Sequence, residues 1–118
     1  MLKFLYVGLG GALGAILRYS FSFLPIASNK TIFINIIGAI VIGFVSFFSK
    51  NIRVLDQRLF LFLTTGLCGG FTTFSTFSLE TVQLIEKNEY FLALLYSLGT
   101  VVLSLIGIYV GYYLAKLF

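Results

Sequence analysis

The sequence predicts an all-α membrane protein with four transmembrane helices, and three observations carry that prediction. Hydrophobic residues make up 59% of the 118-residue chain and charged residues only 10%, against about 25% charged in an ordinary soluble domain. The eight Lys and Arg and the four Asp and Glu crowd into a few short stretches. Between those stretches run four apolar segments, each meeting the roughly 20 residues that a helix needs to cross a hydrocarbon layer of about 30 Å.

The first helix is expected over residues 2–24. Met1-Leu2-Lys3 ahead of an apolar run mimics a signal peptide, but the run from Phe4 to Leu17 is long for one and no small-residue cleavage site follows. The helix is therefore expected to stay. Gly10 and Gly14 have the spacing for close helix approach. Arg18, near the helix end, can snorkel to the interface or draw anions toward a vestibule. The second helix is expected over 31–49, after the polar connector 25–30. Asn35 places a side-chain amide with two N–H donors inside it, and Gly38, one turn later, leaves room beside that amide.

The third helix, expected over 59–83, holds the densest polar stretch, from Gly66 to Ser78. Adjacent Gly69 and Gly70 and the run of Thr and Ser predict a helix broken near mid-membrane. Irregular backbone at that depth is tolerated only where it is buried in protein or lines a cavity. Two readings fit such a break. Its freed carbonyls can gather around a small hard cation such as Na⁺, or it marks a tight crossing of two helices. Phe71, Phe74 and Phe77 recur every three residues along one helical stripe. Rings turned edge-on would offer their positive edges to an anion, while their ordinary role is packing. Glu80, further along, invites a basic partner. The fourth helix, expected over 90–118, carries Tyr96, Thr100 and Ser104 at i, i+4 and i+8, a hydroxyl track on one face. The competing role for Thr100 and Ser104 is bonding to carbonyls of their own helix. Gly107 and Gly111 repeat the small-residue spacing of the first helix, for packing within one subunit or between two. Residues 1–118 thus read as a single transmembrane domain.

Composition also excludes function classes. With no His and a single Cys, Cys68, disulfide frameworks, His-Cys metal sites and His-based catalysis are ruled out. No acid–base pair or activated nucleophile can be assembled, so the chain is not expected to be an enzyme. The net charge of +4 comes from basic residues near helix ends, which speak to topology and lipid headgroups rather than nucleic acid. The first two helices hold no Asp or Glu, which argues against proton coupling and against a small multidrug-type exporter with its first-helix acid. A membrane scaffold would explain the glycines but not hydroxyls and an amide spread over three helices. Four helices place Lys3, Lys50, Arg53, Arg58 and Lys116 on one side, and Arg18, Lys30 and Lys87 on the other. That bias is weak under the positive-inside rule. A chain that inserts both ways can pair with its own inverted copy. A bundle this small packs its own centre shut, so a conduit would use a seam between protomers.

The stretch Gly69-Gly70-Phe71-Thr72-Thr73-Phe74-Ser75-Thr76-Phe77-Ser78 with Glu80 after it resembles the third-helix motif of the Fluc family of fluoride channels, the CrcB-type proteins. Gly8-Leu9-Gly10-Gly11-Ala12-Leu13-Gly14 followed by Arg18-Tyr19 resembles its first-helix motif, and Asn35 with Gly38 and Gly43 its second. The resemblance runs over essentially the whole chain. It implies an antiparallel, dual-topology homodimer in the cell membrane, with two pores that pass fluoride out of the cytoplasm. It also implies a structural Na⁺ on the two-fold axis, held by main-chain carbonyls of Gly69 and Thr72 from each subunit. Phe74 and Phe77 match the pore phenylalanines, Asn35 the pore asparagine, Tyr96, Thr100 and Ser104 the polar track, and Arg18 the vestibule arginine. Two positions depart from the pattern. Lys30 stands where Gly is expected and Ile40 where Phe is usual, both outside the pore set.

Overall fold

In lipid an apolar run has no water to bond its backbone, and a helix satisfies every N–H and C=O within one segment. The computed structural model describes residues 1–25 and 30–118, and in it four helical spans are long and apolar enough to cross a membrane. Helix α1 covers Leu2–Phe21. Helix α2 covers Lys30–Phe47 and continues as a π-helical turn, Phe48–Ile52. The third span, Gln57–Glu86, is composite. It comprises α3 (Gln57–Leu61), a π-helical segment (Phe62–Cys68), α4 (Gly69–Phe71) and α5 (Phe74–Glu86). Helix α6 covers Tyr90–Lys116.

Local chemistry sets the ends. Helix α1 stops at Phe21, short of the expected Leu24, where the Ser22 hydroxyl donates to the Tyr19 carbonyl at 2.5 Å. Pro25 follows, and the residue ahead of a proline is disfavoured in helix. Most of the expected connector 25–30 lies outside the described residues, but Lys30 already opens α2, its Nζ donating to the Ser22 carbonyl. At the start of α3, Asp56 Oδ1 accepts the Arg58 N–H at 2.8 Å, a helix N-cap. Helix α5 runs on to Glu86 and turns into α6 through Asn88, whose φ of 62° is left-handed. The Glu89 N–H reaches back to the Leu84 carbonyl at 2.9 Å and closes the turn.

The helices pack as two interleaved pairs. Helix α1 lies along the third span, α2 lies along α6, and α1 touches α2 only lightly. Both pairs approach backbone to backbone. A Cβ added to Gly14 would sit 2.3 Å from the Leu67 carbonyl oxygen, and one on Gly70 would sit 2.4 Å from that of Gly11. In the other pair, a Cβ on Gly43 would fall 2.3 Å from the Ile108 oxygen and one on Gly111 2.2 Å from the Ile40 oxygen. Gly10 meets Phe62 and Gly66, and Gly107 meets Ala39. The small-residue pairs of the first and fourth helices therefore serve packing inside the subunit.

Candidate functional site

A partly open cleft of about 390 Å³ runs along the seam between the two helix pairs. Helix α2 contributes Asn35, Gly38, Ala39 and Ile42, and α6 contributes Thr100, Val101, Ser104, Leu105 and Ile108. The third span supplies Thr64, Cys68, Gly69, Thr72, Thr73, Phe74 and Phe77. Helical periodicity explains the α6 wall, since Thr100, Ser104 and Ile108 are one turn apart on one face. The walls are mostly apolar, and the few polar groups converge from three spans.

The most constrained of these groups is Asn35. Its Nδ2 donates to the Thr73 carbonyl at 3.0 Å and its Oδ1 accepts the Thr73 N–H at 2.9 Å. Thr72 and Thr73 are both extended, with φ/ψ of −80°/160° and −149°/122°. The Asn35 amide pairs with extended Thr73 as a neighbouring strand would, leaving one amide N–H uncommitted among the described residues. The Thr73 hydroxyl caps α5 by accepting the Thr76 N–H at 3.1 Å. The room expected beside Asn35 at Gly38 is already taken, because a Cβ there would lie 2.1 Å from the Thr72 methyl.

These pairings decide which carbonyls lose their regular helical donors. In a continuous α-helix the Thr73 N–H would bond the Gly69 carbonyl and the Thr76 N–H the Thr72 carbonyl. Both donors are instead engaged by side chains. The Gly70 carbonyl accepts from Arg18 Nε at 3.2 Å, so the half-buried Arg18 is tied to the same stretch. Among the described residues no cluster of His, Cys, Asp or Glu could hold a metal.

The hydroxyl track divides. Thr100 is 4% exposed, and its Oγ1 makes no hydrogen bond among the described residues. The expected alternative, a bond to a carbonyl of its own helix, is not made there. Ser104 lines the cleft beside it. Tyr96 stands behind the wall, its ring 5.5 Å from that of Phe77 and its hydroxyl donating to Glu80 Oε2 at 2.9 Å. Glu80 Oε1 accepts the Thr31 hydroxyl. Two hydroxyls thus hold Glu80, in place of the expected basic partner; the ion pair found among the described residues is Arg58–Asp56 at 3.7 Å. An intramembrane carboxylate is costly unless partnered, and sequence could not show that Thr31 and Tyr96 meet on it.

The phenylalanines divide too. Phe74 and Phe77 are 5.7 Å apart in an edge-on arrangement, Phe77 8% exposed and Phe74 78%. Phe71 does not share their stripe. It precedes the extended pair, packs edge-on against Phe21 at 6.2 Å, and lines a separate apolar pocket. The two extended residues interrupt the helical repeat on which a common face depended. Thr64 and Thr73 are polar cleft residues that sequence reasoning missed; the Thr64 hydroxyl bonds the Phe60 carbonyl at 2.8 Å inside the π-helical stretch, and no hydropathy signal marks either.

The family model described as CrcB-like protein, Camphor Resistance (CrcB), matches residues 5–112. The chain belongs to the CrcB family. Its relatives include a protein of Helicobacter pylori (strain Shi470), 40% identical over 98% of this chain and 94% of the relative. One from Helicobacter acinonychis (strain Sheeba) is 40% identical over 99% and 98%. One from Azobacteroides pseudotrichonymphae genomovar. CFP2 is 36% identical over 98% of each. All three are named fluoride-specific ion channel FluC. These are channels rather than enzymes, and the CrcB chain described here is a multi-pass membrane protein.

Proposed function

We propose that this CrcB-family protein is a fluoride-selective passive channel that lets fluoride leave the cytoplasm across the cell membrane. The observation that carries the reading is the cleft itself. It gathers Asn35, Phe74, Phe77, Thr100 and Ser104 in one seam, with the Thr100 hydroxyl buried and without a partner among the described residues. Dehydrating fluoride is expensive, so a pore must replace water with donors. Here the donors are hydroxyls, the uncommitted amide N–H of Asn35 and ring edges, which are the positive part of an aromatic ring. Arg18 adds positive charge toward one mouth. No energy source is required. HF enters from acidic surroundings and dissociates inside, and the membrane potential expels the anion with about 2.3 kcal/mol per unit charge per 100 mV.

The working unit in this proposal is an antiparallel homodimer with two pores. Phe74 is left mostly bare by its own subunit, as a ring that a second copy covers. Gly66 and Gly70 spend their missing side chains against α1, whereas a Cβ on Gly69 would meet only the Thr64 oxygen, 3.8 Å away. That leaves a flat face at Gly69 for the inverted copy. The residues also fit a Na⁺ there, because Gly69 and Thr72 are the carbonyls released from their regular helical donors. Two carbonyls fill only part of a small cation's shell, so both subunits would contribute. The ion would neutralise clustered carbonyl dipoles where the two extended segments cross at mid-membrane.

The test is fluoride efflux from liposomes holding the purified protein, with valinomycin to carry compensating K⁺ and chloride as the control anion. Rapid fluoride release with negligible chloride release is expected. A well-folded protein that releases no fluoride would end the channel reading.

A further inference from the structure

The Asn35 amide does more than face the cleft. It bonds both backbone groups of Thr73, at 3.0 and 2.9 Å, and Thr73 directly follows Thr72 and stands four residues after Gly69. An extended residue within a helical span has an N–H and a C=O that must find partners away from water. Without the amide, the nearest remedy for the Thr73 N–H is to rewind onto the Gly69 carbonyl, its regular helical acceptor. Rewinding would also undo the Thr73 cap on Thr76 and return the Thr76 N–H to the Thr72 carbonyl. Both freed carbonyls would then be consumed by the helix.

We infer that Asn35 is a positioning residue for the Gly69 and Thr72 carbonyls, so that one side chain serves the anion path with its remaining N–H and sets the cation site through Thr73. The inference rests on the cation reading proposed above. Gly38 supports it from the next turn, since it admits the Thr72 methyl that a Cβ would strike at 2.1 Å. The consequence is a coupling: a change at a cleft residue alters how much Na⁺ the protein requires.

The experiment measures thermal stability of the purified dimer across a Na⁺ titration, in wild type, Asn35→Ala, Asn35→Asp and Thr100→Val. Asn35→Ala is expected to raise the Na⁺ concentration for half-maximal stabilisation about tenfold, the effect of losing about one net hydrogen bond. Asn35→Asp accepts from the Thr73 N–H but cannot donate to its carbonyl, and it carries the same comparison should the alanine variant fail to fold. Thr100→Val, in the cleft but with no hydrogen bond from its hydroxyl to Thr73, is expected to reduce fluoride flux and leave the Na⁺ requirement unchanged. A wild type that responds to Na⁺ with Asn35 variants that respond identically overturns the inference alone. A wild type indifferent to Na⁺ overturns the cation reading and the inference together.

Discussion

At the scale of single residues, the polar groups of the cleft differ by what already holds them. Among the described residues Thr100 has a buried hydroxyl without a partner, and an orphaned buried polar group costs free energy that an apolar group of the same shape does not. Thr100→Val is therefore expected to leave stability unchanged or raise it by up to about 1 kcal/mol, while fluoride efflux falls; a destabilised variant with normal efflux would contradict this. Phe74→Ile and Phe77→Ile are expected to abolish efflux without loss of the dimer, read by liposome flux and size-exclusion chromatography. Wild-type flux in both would remove the ring-edge mechanism. Sequence spacing assigned Asn35, Phe74, Phe77, Thr100 and Ser104 to three spans, and all five line one cleft, but spacing carried no information on pairing. That Asn35 binds Thr73, and that Glu80 is held by Thr31 and Tyr96, depends on contacts between spans that hydropathy and helical period do not encode.

At the scale of elements, backbone contact between helices governs tolerance to change. Gly111→Ala would drive a Cβ to 2.2 Å from the Ile40 oxygen and 2.6 Å from the Phe44 nitrogen, and neither backbone can yield. Forcing α2 from α6 should cost at least the 1–3 kcal/mol typical of overpacking, about as much as any core insertion. Gly8→Ala and Gly99→Ala have nothing within 4 Å of the new Cβ and should stay within about 0.5 kcal/mol of wild type; thermal midpoints in detergent compare all three. The α5–α6 turn gives a second contrast. Asn88 at φ 62° should accept Gly, whereas Val there should lose roughly 1–2 kcal/mol to the left-handed penalty. The four spans were legible because an apolar run of sufficient length in lipid has one solution. The π-helical stretches Phe48–Ile52 and Phe62–Cys68 were not, since a shift from i−4 to i−5 bonding leaves hydropathy untouched. The stripe through Phe71 failed for a related reason: period counting assumes a regular helix across Thr72 and Thr73.

At the scale of the whole molecule, the proposed inverted dimer makes a topological prediction. Cys68 is buried, so a single added thiol reports cleanly. In Lys87→Cys, an impermeant maleimide is expected to label one population from outside and the remainder only after permeabilisation, in comparable amounts; labelling from one face alone would refute dual topology. The pairing of α1 with the third span and of α2 with α6 has another consequence, which concerns how the molecule is made. Spans leave the ribosome in chain order, but none of the first two is the other's principal partner. Helix α1 must wait in the bilayer until Gly66 and Gly70 arrive, and α2 until Gly107 and Gly111 do. During that interval their glycine faces meet lipid or the insertion machinery, and neither pair can be completed by a chain cut after α2. Assembly is therefore tied to the emergence of α6, the helix that closes the seam.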